Sequence, residues 1–551
     1  MRRPRKLAVL AVVLIPVLAS GFLLQSRGGA GAGGAVLLDQ VLSLISERFV
    51  DTLSQGAMYE KAARGLVREL NDPYTELLSP KDFKLFSTRT GGRYGGLGMT
   101  IEPRDNQIIV ANVFPNTPAE RGGVREGDRI IQVDTMSTRG WTTQKAADML
   151  TGTPGTKVKV KFNRPGVVQP IEGEFTRAIV NVPAVPFDIT FGSVGYVPLQ
   201  SFNEHATTDL EKAIRDLTAR GAKGVIIDLR GNPGGILEQS LTVSNLFLRP
   251  GAEIASVRSR SGETQSYVAR SQPALPTTPL IILTDERSAS ASEIVSGALQ
   301  DHDRAVIVGQ TTFGKGLVQS VFNLDGGYAL KLTTAKWFTP SGRSIQRERK
   351  FVDGEFVEDT LRDSLETNAS KKSRPAYRSD GGRLVYGGGG ITPDVIVPDD
   401  TLTTAEQQLA KALAPKTQEV RTVLLDYALE LSKVVPKDFR PQPAWREELR
   451  RRIEARDIKV DPAHWQAGSR YMDQQLEFWV TRYAQGDSAA RRRQLPVDAP
   501  LRKAIDMMNK GQTQKDLFTL ASAAAAKPIN GAVAPKNQNA QGGGATARPP
   551  R

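Results

Sequence analysis

Between residues 190 and 340, short apolar runs alternate with helical patterns. GSVGYVPL, GVIIDLR, PLIILTD and AVIVG read as strands, and His205–Arg220, Ile236–Leu248 and Ser290–Gln300 as helices. These strands are continuously apolar rather than alternating, so both of their faces need covering. That requirement predicts a largely buried sheet inside an α/β domain. A hairpin, LVQSVFNL-DGG-YALKLTTAKWFT, follows through its Asp-Gly-Gly turn. Residues 350 to 386 form a charged, turn-rich excursion, and GGGGITPDVIVP returns to strand-like sequence.

The 551 residues leave room for further domains on either side. From 36 to 87 the pattern is helical: Leu37, Val41, Ile45 and Phe49 recur at intervals of four, and Ser79-Pro80 opens a short helix. Such a helical segment either packs on the main body or pairs two chains into a homo-oligomer. Residues 88 to 172 are β-rich, with one helical stretch, Thr143–Leu150. The α/β domain is assigned to 173–399. Residues 400–522 read as helical and basic, and 523–551, dominated by Ala, Gly, Asn and Pro, as disordered.

Residues 1–35 form a targeting segment and a Gly/Ala/Ser linker. MRRPRK is a basic flank, and Leu7 to Leu24 carries no charge over about 18 residues, near the lower limit of a membrane span. Cleaved signal and retained membrane anchor are both open. Either way the positive flank stays inside and the remainder is exported, to the periplasm or the outer face of the cytoplasmic membrane.

Composition narrows the chemistry. The absence of cysteine excludes disulfides, thiolate metal sites and cysteine nucleophiles. A net charge of +14, with clusters such as Arg491–Arg493, fits a solvated basic helical surface. No interleaving of aromatic and basic residues accompanies it, so no nucleic acid is expected as partner.

PLIILTDERSASASEI is a strand, a small-residue turn and a helix start. A serine at that corner is held outward, beside N–H groups and a helix dipole that suit a developing oxyanion. Ser290 is the candidate nucleophile. With Glu293 it also fits a Ser-x-x-Glu capping box that needs no catalysis, and Ser288 or Ser292 could equally be the exposed hydroxyl. A second glycine turn, in GVIIDLRGNPGG, offers backbone amides at Gly234 or Gly235. Among three histidines, His302 falls 12 residues beyond Ser290 along one helix, His464 lies in the helical C-terminal region, and His205 sits at a polar helix start. Lys315 is the better base: it is the only charged residue from Ala305 to Leu324, where burial would disfavour an ammonium. Gln319, four residues on, could hold its amine in line.

The blocks DLRGNPGG, SASASEIVSGALQD, GQTTFGKGLVQ, LKLTTAKWFTPSGRSIQ and GGITPDVIV, in that order, resemble the carboxyl-terminal processing (tail-specific) serine peptidases. The resemblance spans roughly residues 37 to 400. It implies a multidomain α/β protein with an N-terminal helical segment, a β-rich PDZ domain and an α/β ClpP/crotonase-like peptidase core; the helical region beyond 400 has no counterpart. It implies catalysis by Ser290, Lys315 and Gln319 without metal or cofactor, and oxyanion donors at Ala291 and Gly235. His302 departs from the family pattern, where an aromatic is expected. Gly96-Leu97-Gly98-Met99 resembles a PDZ carboxylate-binding loop, which takes a free C-terminus while the peptide adds as a strand. The implied partners are protein or peptide C-termini. The rival function is a catalytically inactive PDZ scaffold in the envelope.

Overall fold

The computed structural model describes residues 31–352, 355–358, 374–400 and 402–525. The charged flank and apolar run of the targeting segment therefore lie outside the described residues, as does the chain beyond Ala525. Among the described residues no helix is long and apolar enough to cross a membrane. The chain divides into two compact units, one comprising the residues through Phe83 with Gln319–Thr333, the other Lys84–Val318 with Thr334 onward.

The larger unit is built on a six-stranded sheet. Its strands are β1 (Ile189–Phe191), β2 (Val194–Pro198), β3 (Gly224–Asp228), β4 (Leu280–Thr284), β5 (Val306–Gly309) and β6 (Val395–Ile396). They lie side by side in chain order; β1 is antiparallel to β2, and the rest are parallel. The crossover helices are α1 (Ala206–Ala219), α2 (Leu237–Asn245) and α3 (Ala291–Asp301). Because each step moves the same way across the sheet, right-handed crossovers place all three on one face. Val225, Ile227, Ile282 and Ile307 accordingly pack with Leu210, Val243 and Val295.

The alternate residues Tyr196, Ile226, Ile281, Leu283 and Val308 face the other way. They are covered by α5 (Ala499–Lys510) and α6 (Gln514–Ala525), through Leu501, Ala504, Met507 and Leu517. Residues that read from sequence as part of a separate helical region thus complete the core of the α/β domain. Preceding them, α4 (Thr417–Leu431) belongs to a second helical cluster with its own core around Leu424, Trp465 and Leu476.

The β-rich segment forms its own sheet, in the order Met99–Arg104, Gln107–Val113, Arg129–Val133, Lys157–Asn163 and Ile171–Thr176, with Met136–Ser137 beside Arg129–Val133. Helix Thr143–Leu150 appears where its pattern predicts. Helix α4 docks against this segment: buried Arg104 bonds Asp426 (3.0 Å) and Glu102, and a Cβ on Gly127 would meet Leu429 at 2.3 Å.

In the smaller unit, helix Gly31–Arg48 begins inside the stretch expected to be linker. Its apolar residues Leu37, Val41 and Ile45, and Phe49 just past its end, remain on exposed surface. Strand Glu76–Leu78 pairs antiparallel with residues 329–331, and Tyr328 donates to Glu60 (2.9 Å).

One ion-pair cluster ties α5 to the sheet. Arg230 donates to Asp228 (2.7 Å) at the end of β3 and to Asp498 (2.8 and 2.9 Å) at the start of α5, all three side chains being largely buried. Burial alone would raise the Asp228 pKa, but the charges of Arg230 and Arg491 and hydrogen bonds from Arg230 and Tyr196 hold it below 3.8. Arg230→Ala removes the guanidinium that two buried carboxylates share and is expected to cost about 3–5 kcal/mol in urea denaturation. For the intact protein, the contribution of Asp228 is complete above its unfolded value near 3.8 and is lost as pH falls through the depressed folded value. A pH series on the denaturation midpoint tests both statements.

Candidate active site

Two turns at the C-terminal ends of neighbouring parallel strands are stitched together. After β4, Asp285 bends the chain: its Oδ1 accepts Gly231 N–H (2.9 Å) from the turn after β3. Ala289 N–H and the Ser292 hydroxyl both donate to Asn232 O (3.0 Å each), and the Ser288 hydroxyl donates to Leu229 O (2.8 Å). Asn232 is fully buried; its amide donates to Leu199 O (2.7 Å), and its Oδ1 accepts Gly234 N–H (2.9 Å). This residue was not singled out from sequence, because only the facing turn reveals what it holds.

These bonds separate the three serines. Ser288 and Ser292 are buried with their hydroxyls spent on backbone carbonyls, whereas Ser290 is half-buried. Its backbone sits at φ 55°, ψ −112°, uncommon for a residue with a Cβ and the kind of corner that displays a side chain. The capping box is present: Glu293 bonds back to Ser290 N–H, and the Ser290 side chain faces Glu293 N–H. The N–H of Glu293, however, is already taken by the Ser290 carbonyl (2.8 Å), so the hydroxyl is not required to satisfy it.

Glu293 does more than return a capping bond. It is fully buried, and Oε2 lies 2.7 Å from Ser290 N and 2.9 Å from Lys315 N, while Oε1 accepts the Thr312 hydroxyl (2.6 Å) and Gly314 N–H (2.7 Å). Burial raises its pKa above the usual 4.5, and these four bonds oppose that rise. A single oxygen atom thereby joins the backbones of the two residues the sequence pairs, Ser290 and Lys315. The lysine's backbone is held on its other side as well: buried Trp337 donates Nε1–H to Lys315 O (2.9 Å), and Gly316 N–H donates to Gln346 Oε1 (2.8 Å). The Lys315 side chain is half-buried.

Of the predicted oxyanion donors, Ala291 follows Ser290 directly, and Gly235 follows Gly234, whose own Cβ position lies against the Ser290 corner. Ala291 is the first residue of α3, where an N–H has no helical acceptor, and neither it nor exposed Gly235 N–H finds an acceptor among the described residues. Gly234 closes the gap between them. A Cβ there would meet Ala289 O at 2.7 Å and Ala291 N at 2.9 Å, and its φ is +96°.

The histidines stand apart from this corner. His302 caps the C-terminus of α3, with ring nitrogens at Asp380 (2.8 Å) and Glu253 O (2.6 Å). His205 precedes α1, and His464 lies in helix Pro462–Ala467. Gln319 lies in the smaller unit, where its amide donates to Thr333 Oγ1 (3.4 Å) and Thr333 N–H donates to Thr75 Oγ1 (3.1 Å). In the β-rich segment, Gly96-Leu97-Gly98-Met99 is buried and leads into the first strand of its sheet. No group of three or more His, Asp or Glu side chains suited to a metal occurs among the described residues.

Residues 193–353 match peptidase family S41, and residues 87–163 match the PDZ domain. The carboxy-terminal processing protease CtpA of Bacillus subtilis is 32% identical over 329 residues, covering 60% of this chain and 70% of the relative. The carboxy-terminal-processing protease of Bartonella bacilliformis is 37% identical over 311 residues, covering 56% and 71%. Among solved structures, the photosystem II D1 C-terminal processing protease is 27% identical, covers 59% of this chain and 91% of that one, and has a TM-score of 0.34.

Glu293→Gln tests the anchor. Every partner of this carboxylate is a donor, so an amide NH2 in place of either oxygen faces donors only. The expected result is a loss of roughly 3 kcal/mol or more of stability in chemical denaturation. Unchanged stability would remove the anchor's role. Gly234→Ala is expected to act differently, displacing Ser290 and Ala291. Labelling of Ser290 by a fluorophosphonate should fall at least tenfold while the fold persists by circular dichroism.

Proposed function

The chain belongs to peptidase family S41, among the carboxy-terminal processing proteases, and from that membership we propose a serine endopeptidase of the bacterial envelope that cuts exported proteins near their C-termini. The observation that carries the catalytic part is the shared Glu293 oxygen, which ties the Ser290 corner to the Lys315 loop. In this proposal neutral Lys315 takes the Ser290 hydroxyl proton as Oγ bonds to the scissile carbonyl carbon. The carbonyl oxygen gains charge opposite Ala291 N–H and Gly235 N–H. The C–N bond then breaks, the leaving amine takes the proton from Lys315, and water hydrolyses the acyl-enzyme. Gln319 steadies the lysine amine, an assignment resting on the KGLVQ motif. Metal and cofactor have no part in the scheme.

The PDZ domain selects the substrate. An apolar C-terminal tail adds along strand Met99–Arg104, with its carboxylate at Gly96-Leu97-Gly98-Met99. That strand lies at one end of its sheet, which supports the assignment. The envelope location rests on the basic flank and apolar run at the N-terminus.

Ser290→Ala and Lys315→Ala are each expected to lower cleavage of a tail-bearing envelope protein by about 10³-fold or more, with the fold unchanged. New C-termini read by mass spectrometry are the measurement. Full cleavage by either variant sinks the dyad. A wild-type protein that binds tails yet cleaves none in envelope extract favours the inactive scaffold instead.

A further inference from the structure

The loop assigned to the substrate's C-terminus is closed by a residue of its own domain. Ala119 N–H donates to Leu97 O (2.8 Å), and Phe114 N–H donates to Gly98 O (2.9 Å). Across a trans peptide the following N–H points the opposite way, so the N–H groups of Gly98 and Met99 turn away from those contacts. In the ladder, Met99 stands opposite Val113 while the bond runs between Gly98 and Phe114. Met99 therefore presents its own N–H and C=O to the free edge of the strand. Gly98 sits at φ +89°, the left-handed conformation that builds an anion-accepting nest.

Tyr94 lies over this nest. Its ring occupies the space beside Gly96, where a Cβ would come within 2.5 Å of Cε2, and its hydroxyl approaches Met99 O at 3.5 Å. All four loop residues are buried. Burial pushes the phenol up to about 12, and hydrogen bonding with the Met99 and Gly98 backbone offsets that only in part. The phenol oxygen thus stands beside the Gly98–Met99 backbone, on the side a terminal carboxylate would approach.

We propose that Tyr94 is a self-cap on the carboxylate-binding loop, which the free C-terminus of an incoming peptide displaces. This rests on the PDZ domain's proposed role. Tail binding then carries a built-in threshold: a free acid, with a full negative charge for the nest, replaces a neutral phenol, whereas an internal segment or an amide does not.

The test uses the full chain carrying Ser290→Ala to prevent cleavage. Two fluorescein-labelled peptides with the same apolar C-terminal sequence serve as probes, one a free acid and the other a C-terminal amide. Tyr94→Phe keeps the ring over Gly96 and removes the hydroxyl. It is expected to tighten the free acid by about two- to tenfold, the value of one hydrogen bond, and to leave the amide unchanged. Tyr94→Ala removes the ring as well and should tighten further, with circular dichroism confirming the fold. Unchanged or weaker binding of the free acid to Tyr94→Phe overturns the cap; weaker binding would make the hydroxyl a donor to the carboxylate. If even the parent cannot tell acid from amide, the loop does not read a carboxylate, and the PDZ role falls together with the cap.

Discussion

A buried carboxylate is the constraint on which the candidate active site depends. Glu293 sits in the first turn of α3 with no exposed surface, and an ion there is tolerated only because four donors converge on it. Two belong to the chain immediately around Lys315, one to Thr312 and one to Ser290. The loop from Thr312 to Gly316 has no regular structure, so without that acceptor it would lose its principal attachment to the serine corner. In the proposed dyad, the approach of Ser290 and Lys315, worth several kcal/mol when geometry is right, rests on a residue that need not touch substrate.

The position of that corner follows in turn from the sheet. Parallel strands in chain order put their crossover helices on one face and their βα turns at one edge, which is where open α/β sheets build sites. The same order leaves the second face bare. Helices α5 and α6 cover it, and Arg230 locks the start of α5 to the end of β3 through Asp498 and Asp228. The C-terminal helices are therefore structural for the catalytic sheet, while α4 and its neighbours brace the PDZ domain through Arg104 and Asp426.

Where sequence patterns were strong, structure followed them. The continuously apolar strands, helix Thr143–Leu150 and the three crossover helices appear within a few residues of their expected places. The pattern Leu37, Val41, Ile45, Phe49 predicted a helix correctly but not its burial, because periodicity reports a face and not what covers it. Asn232 and Thr312 were missed for a related reason. Each is an ordinary polar loop residue until the partner turn, many tens of residues away, supplies its hydrogen bonds.

The sequence by itself determined the chemical inventory. Lacking cysteine, and with a lone lysine in an uncharged run, the chain offered a serine and an amine as candidates, and the resemblance carried by ordered motifs is what pairs them. Spacing alone left Ser288, Ser290 and Ser292 open, since all three stand in the same small-residue turn, and only the family resemblance pointed to Ser290. Tertiary structure separates the three by burying two hydroxyls on Leu229 O and Asn232 O and leaving Ser290 half-buried at a corner of uncommon φ and ψ. It also revealed Tyr94 against the Gly96–Met99 loop, a contact between neighbours in sequence that only the turn of the backbone brings face to face. Local pattern specifies which groups exist; long-range hydrogen bonding decides which hydroxyls are spent on backbone carbonyls.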